Sequence, residues 1–109
     1  MGEAIKVIVK QPNDKYGKPT KIVPSLENLQ SVVGGYIEHV NLEDGLVMIC
    51  NGEGKLKGME PNFVITSGLG YLIDMIVGPV IIAGVKGEEL ADIPISYAEW
   101  KRYLWKWGN

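Results

Sequence analysis

The apolar residues change their period several times along the chain, and each change marks an element. Residues 4–11 alternate: Ile5, Val7 and Val9 interleave with Lys6 and Lys10, the pattern of a strand, with Ile8 adding an apolar residue to the second face. Pro12 to Pro19 is turn chemistry, and residues 20–23 are expected to return antiparallel as a short edge strand. The period then lengthens. Ser25 is a good N-cap, Glu27 lies in the first turn, and Leu26, Leu29, Val32 and Val33 fall on one helical face, so a helix is predicted over 26–33 and closed by Gly34-Gly35.

Residues 36–42 and 46–50 read as two strands around Glu43-Asp44-Gly45, since an Asp-Gly step is a strong hairpin signal. The second of them, Leu46-Val47-Met48-Ile49-Cys50, is apolar on both faces and is expected to be central. Residues 63–66 can form a short strand, 67–70 a turn, and 71–77 either a strand or a helical turn, which periodicity cannot separate at this length. After Gly78-Pro79, residues 80–85 form a second fully apolar strand, and Lys86 to Pro94 is polar and turn-rich. Ser96 with Glu99 makes a capping box, and Tyr97, Trp100, Leu104 and Trp107 recur at helical spacing, predicting a last helix over 97–107. The sum is a single α+β domain over 1–109, mostly antiparallel sheet with two helices. Two buried strands imply a sheet covered on both faces or packed against another subunit.

Composition narrows the function classes. Lys and Arg number 11 against 13 Asp and Glu, a net charge of −2, and Arg102 is the only arginine, which argues against a duplex-DNA binder. The single Cys50 ends an apolar run and has no cysteine partner, so it reads as a small buried hydrophobe in a reducing cytosol. No basic segment followed by a long apolar one opens the chain, and the apolar stretch around 75–85 is broken by Gly78, Pro79 and Gly84, so a cytoplasmic chain without a membrane span is expected.

Polar chemistry concentrates in Asn51 to Asn62, N-G-E-G-K-L-K-G-M-E-P-N. Gly52, Gly54 and Gly58 give the backbone freedom, and Asn51, Glu53, Lys55, Lys57, Glu60 and Asn62 supply donors and acceptors. If the segment is extended, Lys55 and Lys57 project to one side and can hold a phosphate with the glycine N–H groups, while Asn51, Glu53 and Asn62 read a ribose or base edge. The plainer alternative is a hairpin turn with a bulge between two strands. Catalytic patterns do not match: Gly54-Lys55 is followed by Leu56 rather than Ser or Thr, the glycines are too widely spaced for a dinucleotide fingerprint, and His39 has no positional claim on Ser67. Neither an enzyme, a metal site nor a cofactor is indicated. The last helix carries all three tryptophans within eight residues, with Tyr103, Lys101, Arg102 and Lys106 interleaved. That pattern fits a lid on the sheet, an interface built on Trp100, Tyr103 and Trp105, or, less well, a platform for stacked single-stranded nucleic acid.

Three segments together, Val33-Gly34-Gly35-Tyr36-Ile37-Glu38, Cys50-Asn51 through Glu53-Gly54-Lys55-Leu56-Lys57-Gly58 to Pro61-Asn62, and Ile76-Val77-Gly78-Pro79-Val80-Ile81-Ile82, resemble a family of small uncharacterised proteins carried by phages, plasmids and related mobile elements of bacteria. The likeness runs from about Ala4 to Val85. In that family an arginine often follows the proline–asparagine segment, where this chain has Phe63 and Val64, leaving Lys55, Lys57 or Arg102 to take its place. The resemblance implies an anti-defence role: a homo-oligomeric, noncatalytic protein of the host cytosol that sequesters a nucleotide immune signal, a cyclic nucleotide or an ADP-ribose derivative. The pocket would be Asn51, Glu53, Gly54, Lys55 and Asn62, with Lys57 assisting and Tyr36 or a tryptophan stacking on a base. The alternatives are an inhibitor that binds a host defence protein through the aromatic helix, and a hydrolase of such a signal.

Overall fold

The computed structural model describes residues 2–109. The elements run β1 (Ile5–Lys10), β2 (Lys18–Ile22), α1 (Leu26–Val33), β3 (Ile37–Asn41), β4 (Leu46–Asn51), β5 (Pro61–Thr66), β6 (Leu72–Val77), β7 (Val80–Lys86), β8 (Glu89–Ala91) and α2 (Tyr97–Lys106). The segment over 71–77 is therefore strand rather than helix. The main sheet has the order β2-β1-β7-β4-β3, all antiparallel, with β8 pairing the far end of β7. A separate antiparallel ribbon is formed by β5 and β6.

Every residue of β4 and the first five of β7 are buried, and alternation sends their side chains to two faces. Val47, Ile49, Ile81 and Ala83 meet Val7, Leu29 and Val33 beneath α1. Leu46, Met48, Cys50, Val80 and Ile82 meet Ile8, Phe63, Ile76, Trp100, Leu104 and Trp107 beneath α2 and the ribbon. The sheet is thus covered on both faces within one chain, which is why its two central strands need no polar residues until Asn51.

Local chemistry sets the boundaries. Ser25 Oγ accepts from Asn28 N, and Gly34 ends α1 in the left-handed conformation at φ 84°. Asp44 and Gly45 both take positive φ, 58° and 76°, as a type I′ hairpin turn requires. The capping box of α2 is complete, with Glu99 N donating to Ser96 Oγ and Ser96 N to Glu99 Oε1. Beyond β8 the chain crosses onto the α2 face over Gly84, where a Cβ would lie 2.2 Å from the Asp92 carbonyl oxygen, so only glycine lets the segment pass. Ile93 N donates to Lys6 O and fixes that crossing.

Candidate functional site

Asn51, the last residue of β4, is 5% exposed. Its Nδ2 donates to Val33 O at 3.2 Å, one of the C-terminal carbonyls of α1, and its Oδ1 accepts from Glu53 N at 2.8 Å. The side chain that was expected to read a ligand therefore joins helix, strand and loop. Residues 52–58 coil into successive turns instead of extending. Gly52 N donates to Tyr36 O, Gly54 N to Asn51 O, Lys57 N to Glu53 O, Gly58 N to Lys55 O and Met59 N to Gly54 O. Among the described residues, the N–H groups of Lys55 and Leu56 find no acceptor within the turn. Gly54 serves packing, since a Cβ there would stand 3.0 Å from Val77 Cγ2.

The coiling sends the two lysines apart. Lys55 Nζ pairs with Asp74 Oδ1 on β6 at 2.7 Å, and that hydrogen bond and charge hold its pKa above the ordinary value. Lys57 Nζ lies 3.8 Å from Glu53 Oε1, on the flank beside Gly35. The expectation that both project to one side is corrected by the turn geometry. Asn62 is also withdrawn from solvent chemistry: its Nδ2 donates to Lys10 O at 2.9 Å and Gly78 O at 2.8 Å, and its Oδ1 accepts from Lys10 Nζ at 2.5 Å. Lys10 itself is buried, its ammonium lying 5.7 Å from the Phe63 ring centroid, and burial lowers its pKa.

Between β3–β4 and β6 the turn overlooks a cleft of about 220 Å³ lined by Glu38, Cys50, Lys55, Leu56, Asp74 and Met75 among others. Burial, with Glu38 and Asp74 adding to it, pushes the Cys50 thiol up to about 11, so at neutral pH it is a protonated wall residue. Leu56 (89% exposed) and Met75 on the cleft wall are open to solvent, as are Leu69, Tyr71, Leu72 and Ile73 along the turn and first half of β6. The sequence reading missed this run because an apolar stretch with no polar alternation reads as core; its one signal was a strand of only six residues followed at once by a second apolar strand, more apolar length than one small sheet can cover.

On α2, Trp100 is completely buried and donates Nε1–H to Tyr16 O at 2.8 Å, so it is a core residue and not part of an exposed interface. Tyr103 is half-buried, hydrogen-bonded to Asp44, its phenol pushed up to about 12 by that carboxylate. Of the three expected there, Trp105 offers the most surface, 52% exposed and edge-on to Tyr16 with ring centroids 6.1 Å apart. No described helix is long and apolar enough to cross a membrane.

No curated protein and no solved structure matches the chain. One family model does, and its match extends past β7 through nearly all of α2, so the aromatic helix belongs with the rest of the domain. The chain is a member of the family described as a domain of unknown function, DUF3846, which covers residues 5–105.

Proposed function

We propose that this is a noncatalytic binding protein that works by protein–protein contact through the face formed by β6 and the turn at 52–58, in the phage and mobile-element anti-defence setting that the resemblance implies. The carrying observation is the concentration of exposed large apolar side chains between Leu69 and Met75, with Leu56 and Met75 meeting at the cleft. This moves the expected protein-binding surface from the aromatic helix to the ribbon. The test is protection of a phage in a host carrying the matching defence: Ile73→Lys removes protection and Lys55→Ala keeps it. The reverse outcome overturns the assignment.

A specific observation also keeps the second reading, sequestration of a nucleotide-like anion in the host cytosol. Lys55 and Lys57 remain 65% and 47% exposed, and Tyr36, next in the chain to the Gly35 that Lys57 approaches, is 70% exposed. Exposed ion pairs are worth only about 0–1 kcal/mol, so a phosphate can displace Asp74 or Glu53. Gly54, Asn51 and Asn62 would then shape the loop and not touch the ligand. Native mass spectrometry with cyclic nucleotides and ADP-ribose derivatives tests it: a stoichiometric adduct, recovered unchanged and lost in Lys55→Ala with Lys57→Ala, supports sequestration, and turnover above protein stoichiometry would revive the hydrolase.

A further inference from the structure

We propose that the groove between the β1–β2 hairpin and the segment 93–97 binds a medium-chain fatty carboxylate, its head between the ammonium groups of Lys6 and Lys21 and its chain running past Ile95 toward Tyr97. The groove lies on the α2 face of the sheet and shares no lining residue with the cleft beside the turn at 52–58.

Lys6 and Lys21 are direct cross-strand partners in the β1–β2 register. Their side chains therefore leave the same face with Cβ atoms about 4.5–5.5 Å apart, and two like charges so placed oppose the pairing of the strands. Both residues are exposed, and among the described residues neither ammonium forms an ion pair. Asp92 touches Lys6 at the backbone, accepting from its N–H at 2.8 Å, and not at the ammonium. An anion seated between the two ammonium groups supplies the counter-charge that their neighbours do not.

The same register sorts the groove by polarity. Ile8 and Pro19 form the next pair on that face, about 6.7 Å along the strands, and Gly17 lies beyond them against Ile8 and Lys10. Ile93 N donates to Lys6 O and the Tyr97 hydroxyl to Gly17 O, so the segment 93–97 runs beside the hairpin from its charged end to its apolar end. The cavity between them is about 370 Å³, inside the range of about 300–1,000 Å³ for small-molecule sites. One charged end and one apolar end match a single-chain amphiphile. A peptide is disfavoured: β1 is bonded to strands on both sides at Ile8 and Val9, and Ile93 N and the Tyr97 hydroxyl are already engaged. Main chain laid in the groove would bury N–H and C=O groups without partners, whereas an alkyl chain has none to satisfy.

The experiment is isothermal titration calorimetry of the full chain with decanoate below its micelle concentration, with near-ultraviolet circular dichroism to follow the buried tryptophans. Wild type binds decanoate saturably at a single site. Lys6→Gln with Lys21→Gln weakens binding by about 10-fold or more with the tryptophan signal unchanged. Lys18→Gln with Lys86→Gln, which removes two charges outside the groove, leaves it as it was. Lys21→Glu separates ligand binding from a structural role: it turns a like pair into an opposite one, so its melting temperature is no lower than that of wild type, and binding is lost all the same. Acetate, the head alone, and decyltrimethylammonium, the chain with the opposite charge, do not bind. No saturable binding of decanoate to wild type, undiminished binding in Lys6→Gln with Lys21→Gln, or equal binding of the cationic amphiphile overturns the assignment. Capture of a glutamate-rich peptide or of phosphatidylglycerol vesicles without binding of free decanoate also overturns it, in favour of a protein or a bilayer surface.

Discussion

Asn62 holds three segments together through one amide: the end of β1, the turn before β7 and the start of β5. Its oxygen is also the acceptor for the buried Lys10 ammonium. Asn62→Leu would leave the ammonium only the backbone carbonyl of residue 62, 3.4 Å away, and would take the amide donor from the Lys10 and Gly78 carbonyls, a loss of about 3 kcal/mol. Lys55→Ala breaks an exposed pair and should cost less than about 1 kcal/mol. Urea denaturation of both variants checks the contrast. An equal, small effect would return Asn62 to the list of free site residues. Cys50 gives a second prediction at this scale. Its pKa is raised from 9.0 to about 11, so the native fold favours the thiol; this contribution to stability is complete below pH 9 and is lost as pH rises through the folded value. The two-unit shift lowers the thiolate fraction by about 100-fold at pH 8. Reaction with a disulfide reagent should therefore be slower in the folded chain than in urea by at least that factor, and Cys50→Ala should lose less stability than wild type between pH 9 and 11.

The helices and the central strands carry their own signals at the level of elements. Ser25, Gly34, Ser96 and Glu99 mark the helix ends, and the observed caps use those residues. The apolar runs at 46–50 and 80–85 mark β4 and β7. What was not legible is what depends on distant partners. β8 lies in a polar stretch and pairs β7 over Gly84–Lys86, past the Ile8–Ile82 pair at which β1 stops bonding to β7 and leaves an edge to fill. The glycine-rich turn advertised an anion site, but whether its N–H groups face a ligand or each other depends on Asn51, Val33 and Tyr36, up to 18 residues away. The exposure of β6 was hidden because period alone cannot say which apolar strand finds no cover. Two substitutions test the element-level account. Ser96→Ala removes one half of the capping box and should cost about 1 kcal/mol. Gly84→Ala places a Cβ against the Asp92 carbonyl and should cost about 1–3 kcal/mol by thermal or urea unfolding, with β8 and the approach to α2 displaced.

At the scale of the molecule, two apolar clusters lie on opposite faces of one sheet and share β4 and β7 as their common wall. Neither cluster can be dismantled without exposing the backs of the same two strands, so the domain should unfold as a single cooperative unit, and its inner amides should exchange only through global opening. Those of Ile49 and Ile81 belong to that slowest class. The ribbon differs: β6 is bonded on one side only and half of its residues are exposed, so its amides should exchange through a local opening of lower free energy. Hydrogen exchange followed by mass spectrometry therefore separates two regimes on one chain. A ribbon as slow as β7 in dilute wild type would mean that its outer edge is already covered within the monomer.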